Sequence, residues 1–211
     1  MATRMLSEPL ARLLSSTARA KRTTGAMYLA CRDRSPGLDA RLALDRLAQD
    51  EGMHADSISA LVAEPPAVAF TPMPAPVAVG RGIGAEAWPS ALMSAFALDQ
   101  AATAALLALS LAPDAVVAAV AQRIADEECA HQAFAIGAFR LVADVDTSVG
   151  ARLAAEMIQS RDWVQQAYPR RRALEELVNS GVLPSEARKA HDTFLASLGD
   201  RVQEALGVLG C

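Results

Sequence analysis

The sequence predicts an all-α protein: a four-helix bundle with one long crossover and additional C-terminal helices, in one domain spanning residues 1–211. Three observations carry this. Hydrophobic residues make up 52% of the chain but aromatics only 4%, a balance that suits closely packed alanine-rich helices better than β-sheets, which favour β-branched and aromatic residues. Apolar residues recur at helical spacing through segments of about 25 residues. Turn signals at Ser35-Pro36-Gly37, Pro65-Pro66 and Pro113-Asp114 separate those segments. A chain of 211 residues is long enough to bury a real core.

The first helix is expected from about Ser7 to Arg32, ending before Ser35-Pro36-Gly37, and the second from about Leu38 to Ala63, ending before Pro65-Pro66. Residues 65–84 then hold five prolines and three glycines. Such a stretch is long for a loop, but a helix of ~25 residues is about 37 Å long, and a second hairpin laid parallel to the first needs a crossover of that span. The third helix is expected from about Trp88 to Leu111, with Pro113-Asp114 as the turn, and the fourth from about Ala115 to Val142. The core bundle thus covers about 7–143. After a loop from Asp144 to Gly150, packing helices follow over about 149–209: Ala151–Tyr168, Arg171–Ser180 ended by Gly181, and a last one with Ser185 as its N-cap.

Bulk properties narrow the function. The net charge of −4 implies no general attraction to nucleic acid or membrane surfaces. Cys31, Cys129 and Cys211 have neither zinc nor redox spacing, and their odd number fits a reducing compartment, so a cytoplasmic location is expected. The run from Ala87 to Leu111 is apolar, but Asp99 sits near its middle. An aspartate there costs roughly 2.5–3.5 kcal/mol for insertion, so a buried bundle helix is expected instead of a membrane span.

Chemistry concentrates around two of the three histidines. Asp50-Glu51-Gly52-Met53-His54 and Glu127-Glu128-Cys129-Ala130-His131 each place a glutamate three positions before a histidine, which puts both side chains on one helix face. With eleven glutamates in the chain, two such pairs among three histidines arise by chance on the order of 1% of the time. A lone pair of this kind would usually be a surface hydrogen bond along its helix. Two, one per hairpin, are the repeat of a di-metal carboxylate bundle, where each helix supplies one carboxylate and one imidazole.

Such a site also needs a carboxylate from each of the other helices. Reflecting Glu128 through the turn at Pro113-Asp114 lands on Asp99, the lone charged residue between Glu86 and Asp114; buried without a cation or hydrogen-bond partner it would be costly. Reflecting Glu51 through Ser35–Gly37 lands near Lys21 and Arg22, so a cation stands where the sixth ligand is expected. Lys21 shares a stripe with Leu10, Leu14, Thr17 and Tyr28, which points it inward. Its ammonium can supply positive charge otherwise brought by a metal. Alternatively Lys21 snorkels out and a water or a shifted carboxylate such as Asp50 completes the first position.

Other residues are read more plainly. Met53, Met93, Phe96 and Phe134 lie near the motif levels and either line an apolar substrate pocket or fill the core. Cys129 reads as a small core residue, His191 as a surface or interhelix residue, and Arg170-Arg171-Arg172 as either an anion-binding cluster or a solvated helix start.

From about Ser7 to Arg140 the layout resembles the ferritin-like di-iron carboxylate superfamily, on Asp99, the two E-x-x-H motifs and the hairpin spacing. It is most similar to the phenylacetyl-CoA epoxidase oxygenase-subunit family, and over Thr17–Ser59 to the tRNA-modifying di-iron hydroxylases. The resemblance implies an O2-dependent oxidoreductase, a monooxygenase or hydroxylase acting on a small organic or CoA- or RNA-linked substrate. It assigns Glu51 and His54 to one iron and Asp99, Glu128 and His131 to the other, with Glu51 and Glu128 as bridging, catalytic carboxylates. Two iron ions are implied, or one if Lys21 displaces the first, and manganese would satisfy the same ligands. The alternative is a metal-poor ferritin-like scaffold or partner subunit of an oxygenase complex. Either a homodimer or a hetero-complex fits the apolar composition, with no membrane partner and no nucleic acid beyond a tRNA substrate.

Overall fold

A computed structural model of the chain describes residues 6–35, 37–62, 88–167 and 170–207, without the side chains of residue 147 and of 161–171. The expected crossover at 65–84 and the side chains of Arg170 and Arg171 therefore lie outside the described residues. Among the described residues the protein is all-helical, with no strand: α1 (Glu8–Arg32), α2 (Leu38–Ser59), α3 (Trp88–Leu109), α4 (Ala115–Val145), α5 (Thr147–Ala167), α6 (Arg170–Asn179) and α7 (Ser185–Ala205).

Helices α1 and α2 form one hairpin and α3 and α4 another, and α3 is the hub, packing against α1, α4, α5 and α7. Its sequence explains why. Every residue of α3 except Ala97, Ala101 and Leu107 is buried, because alanine and serine let neighbouring backbones approach from all sides. By length and composition α3 could cross a membrane, but 89% of its most apolar window is buried inside the fold. The faces that lipid would need are taken by other helices.

Several boundaries differ from expectation for local reasons. Helix α2 stops at Ser59, after the weak helix formers Ser57, Ile58 and Ser59. Asp114 caps α4 as a side-chain acceptor for Val116 N and Val117 N at 3.0 and 3.2 Å. The expected loop from Asp144 to Gly150 is absent. Helix α4 continues to Val145 and α5 begins at Thr147, with Asp146 between them accepting from Ser148 N at 2.9 Å. Gly150 is helical, and a Cβ there would lie 2.9 Å from Leu206 O, so it marks a close approach to the end of α7. Pro184, not Ser185, is the N-cap of α7; Ser185 is the first helical residue and its hydroxyl bonds Glu186.

Two dry cores stack along the bundle. One gathers Tyr28, Leu44, Met93, Phe96 and Phe139 with residues of α5 and α7; the other gathers Leu13, Leu14, Leu106, Leu109 and Ile124 with residues of α6. Between them lies a layer of buried polar groups: Lys21, Glu51, His54, Asp99, Glu128 and His131. Gly25 lets α1 and α2 close on this layer, since a Cβ there would stand 3.1 Å from Ala48 O and 3.3 Å from Glu51 Cβ. Replacing a glycine inside an exposed helix normally gains up to about 1 kcal/mol. Gly25→Val is expected to do the reverse, costing about 1–3 kcal/mol through overpacking, measurable as a lower urea midpoint with an unchanged m-value.

Candidate metal centre

Four helices each bring charge to one level of the bundle. Helix α1 supplies Lys21, α2 Glu51 and His54, α3 Asp99, and α4 Glu128 and His131; all six are at most 1% exposed. The three-residue spacing within each E-x-x-H motif turns both of its side chains to the same interior face. Ligand atoms of Glu51, Asp99, Glu128 and His131 lie within 4.8 Å of one another. Of the expected ligands, Glu51, Asp99, Glu128 and His131 form this group, and His54 stands beside Glu128 outside it.

Lys21 points inward. Its Nζ is 2.5 Å from Asp99 Oδ1, 2.5 Å from Glu128 Oε1 and 3.2 Å from Glu51 Oε1. Snorkelling is thereby excluded. Burial alone would lower the pKa of this ammonium, but the charges of Asp99, Glu128 and Glu51 outweigh it and hold the pKa well above its ordinary value. The same ammonium, against a burial effect of opposite sign, keeps the Glu128 carboxyl far below the usual range.

The second oxygens of Asp99 and Glu128 face the other way, while Glu51 turns the same Oε1 to both sides. His131 Nδ1 lies 3.1 Å from Glu51 Oε1, 3.2 Å from Glu128 Oε2 and 3.7 Å from Asp99 Oδ2. Asp99 Oδ2 also accepts from Tyr28 OH at 3.1 Å, and the Tyr28 ring meets that of His131 edge-on at 6.4 Å. His54 Nδ1 stands 3.0 Å from Glu128 Oε1, on the Lys21 side. The two imidazoles stack with centroids 5.8 Å apart.

The outer nitrogens of the histidines are held crosswise. His54 Nε2 meets Glu127 Oε2 at 2.8 Å, and His131 Nε2 lies 3.6 Å from Asp50 Oδ2. Thus the acid that precedes each motif's glutamate faces the other motif's histidine across antiparallel α2 and α4, Glu127 within hydrogen-bond distance and Asp50 beyond it. Glu127 is in turn braced by Arg123, at 3.1 Å. A carboxylate behind an imidazole fixes its orientation and raises its basicity as a ligand. Asp50 accordingly sits behind His131 rather than beside Lys21, which corrects its expected role as a replacement ligand. Motif reading gave Tyr28 and Glu127 no role at the site, and Asp50 a different one. The acid at the first position of both five-residue motifs was the available signal for two of them.

The expectations for Met53 and Cys129 need correction, while His191, Met93, Phe96 and Arg172 each follow one of the readings open to them. Met53 is 60% exposed, so it neither lines an interior pocket nor fills the core. Cys129 is exposed rather than buried. His191 is buried, with Nδ1 2.9 Å from Asp192 Oδ1. Met93 and Phe96 are core residues, with Phe134 packed against them. Arg172 pairs with Glu176 on the surface.

The residues fit a divalent cation. Carboxylate oxygens and an imidazole nitrogen are the donors such ions take. The buried atom Glu51 Oε2 has no hydrogen-bond partner. Glu128 Oε2 and His54 Nδ1 make ionic contacts at 3.2 and 3.0 Å without a hydrogen bond, and a buried polar atom without a hydrogen bond is rare unless an ion or water serves it. This buried group could hold a metal ion. Compared with models of known protein families and with curated protein sequences, the chain matches none.

The centre also sets a pH dependence. Burial and the neighbouring Asp99 push the Glu51 carboxyl up to about 8 from 4.5. Burial would lower the His131 imidazole, but Asp99, Glu128 and Glu51 push it up to about 12 from 6.5. Glu51 therefore contributes stability that is full below pH 4.5 and lost by about 8, and His131 stability that is full below 6.5 and lost toward 12. From pH 6.5 to 8 both have the same sign: the folded chain binds more protons than the unfolded one. Metal-free protein in EDTA is expected to lose stability over this range, at up to about 1.4 kcal/mol per pH unit for each proton. Urea unfolding across the range tests it; Glu51→Gln should flatten the slope, and a profile already flat in the wild-type protein would contradict the assignment.

Proposed function

We propose that the protein is a metal-dependent oxidoreductase on a ferritin-like bundle, using O2 to oxidise a small organic substrate. The observation that carries this reading is the convergence of Glu51, Asp99, Glu128 and His131 within 4.8 Å, with each motif's histidine backed by an acid from the opposite motif. A metal ion of the iron or manganese class would supply redox chemistry and an open position for O2. Glu51, Asp99, Glu128 and His131 would hold it, with His54 beside Glu128 on the Lys21 side.

The remaining work belongs to the chain itself. Glu127 and Asp50 fix the imidazoles so that Nδ1 faces inward. Tyr28 donates to Asp99 Oδ2 and sets the carboxylate's rotation. The apolar layers above and below the centre exclude water and so strengthen every electrostatic contact within it. Iron is the expected metal, and the cytoplasm the expected compartment.

A second reading, a metal-poor scaffold or partner subunit of an oxygenase complex, is favoured by one observation: the Lys21 ammonium already neutralises part of the carboxylate charge. Metal-free protein loaded anaerobically with ferrous iron, desalted and exposed to air separates the two. The oxidoreductase reading expects retained iron, an absorbance change on oxidation and O2 consumption, all lost in His131→Ala. A scaffold retains no iron and consumes no O2. Glu127→Ala is expected to weaken iron affinity about 10- to 100-fold without unfolding the chain, as loss of an outer-shell partner does; an unchanged affinity by competition with a chelator would remove Glu127 from this role.

A further inference from the structure

We infer that the Lys21 ammonium is a tethered cation standing in for one of two metal ions, so that the centre takes a single divalent ion on its His131 side. This rests on the reading of the centre as a metal site and specifies its stoichiometry.

The carboxylates define two positions. Asp99 Oδ1 and Glu128 Oε1 converge on Lys21 Nζ at 2.5 Å each, and His54 Nδ1 shares Glu128 Oε1. Asp99 Oδ2 and Glu128 Oε2 instead face His131 Nδ1, at 3.7 and 3.2 Å. Glu51 Oε1 is near both, 3.2 Å from Nζ and 3.1 Å from Nδ1. Asp99 and Glu128 therefore bridge with their two oxygens, as carboxylates between two cations do. One cation is covalently part of α1. On the other side Glu128 Oε2 meets His131 Nδ1 at 3.2 Å without a hydrogen bond, Glu51 Oε2 has no hydrogen-bond partner, and both side chains are fully buried.

Formal charge gives the same count. Four carboxylates, as in the six-ligand arrangement of two E-x-x-H motifs plus two further acids, balance two divalent ions. Here the α1 ligand is a lysine: with Glu51 ionised and His131 neutral, as metal ligation requires, three carboxylates carry −3, Lys21 adds +1, and −2 remains, which one divalent ion neutralises. A second ion beside the ammonium would leave +2 in a layer shut off from water, where uncompensated charge is expensive.

Manganese(II) binding to the metal-free full chain tests this, with bound metal counted per chain after equilibrium dialysis and magnetic coupling read by electron paramagnetic resonance. The wild-type protein should hold one isolated ion, and Lys21→Glu two coupled ions. Two ions in the wild-type protein, or one in both proteins, would overturn the role of Lys21 while leaving the metal centre standing. No ion in either would remove the metal centre itself. Should Lys21→Glu fail to fold, Lys21→Met removes the charge at similar volume. Its metal-free form should melt well below the wild-type protein, and manganese should raise its melting temperature by more than it raises the wild-type value. An equal rise in both would overturn the inference.

Discussion

The structure turns on one ammonium among three carboxylates in a place where water does not reach. Lys21, Glu51, Asp99 and Glu128 each have no exposed surface. Moving any one of them alone into such a layer costs several kcal/mol. None is tolerable without the others, and they come from four different helices. The hairpins are therefore locked together at one level by electrostatics as well as by packing, and losing one partner would leave the rest as buried, unbalanced charge. That is a demand for register rather than a gain in net stability, since a well-packed apolar layer would serve stability as well or better. A protein that keeps such a layer keeps it for what the charges do.

The surrounding fold is arranged to make the layer dry. Helix α3 carries Asp99 on an otherwise apolar rod, and α5 and α7 cover the face of α3 that the two hairpins leave open. Of its other polar groups, Thr103 returns its hydroxyl to Asp99 O at 3.1 Å and Ser94 to Ser90 O at 3.2 Å, while Ser90 donates to Glu156 of α5 at 2.9 Å. Phe96 and Phe139, packed edge-to-face at 5.5 Å, help close one side. Helix α2 is the contrast. It carries Glu51 and His54 inward, but Leu38, Leu42 and Met53 on its outer face are more than half exposed. The centre is thus deeply covered on the α3 side and screened on the α2–α4 side by the acids that hold the histidines.

Much of this was legible in the sequence because it follows from helix period and antiparallel reflection. The two E-x-x-H motifs, the match of Asp99 to Glu128 and the match of Lys21 to Glu51 need only a count of residues from a turn. What escaped depends on lateral packing, which counting does not fix. Asp50 and Glu127 lie about 100° around their helices from the glutamates they precede. Whether they reach solvent or a neighbouring histidine depends on how closely α2 and α4 approach. Met53 and Cys129 look like core residues by composition, yet lie where none of the described helices covers them. The loop expected at 144–150 failed for a related reason: Gly150 marks the close approach of a helix that only the folded chain brings there.

The two motifs are equivalent as sequence but not as environment, and one side chain makes the difference. His131 looks onto three carboxylates, whereas His54 looks onto one carboxylate oxygen already engaged by an ammonium. A two-fold repeat in the chain has become a one-sided centre. The asymmetry does not need a rearranged backbone, because a lysine's four-carbon stem carries its charge from the α1 axis to the position an ion would occupy. A change from acid to lysine shifts the local charge by two units, the charge of one divalent ion. A substitution of that size can be absorbed without disturbing the helices, since it exchanges a mobile cation for a tethered one and leaves the carboxylates where they were.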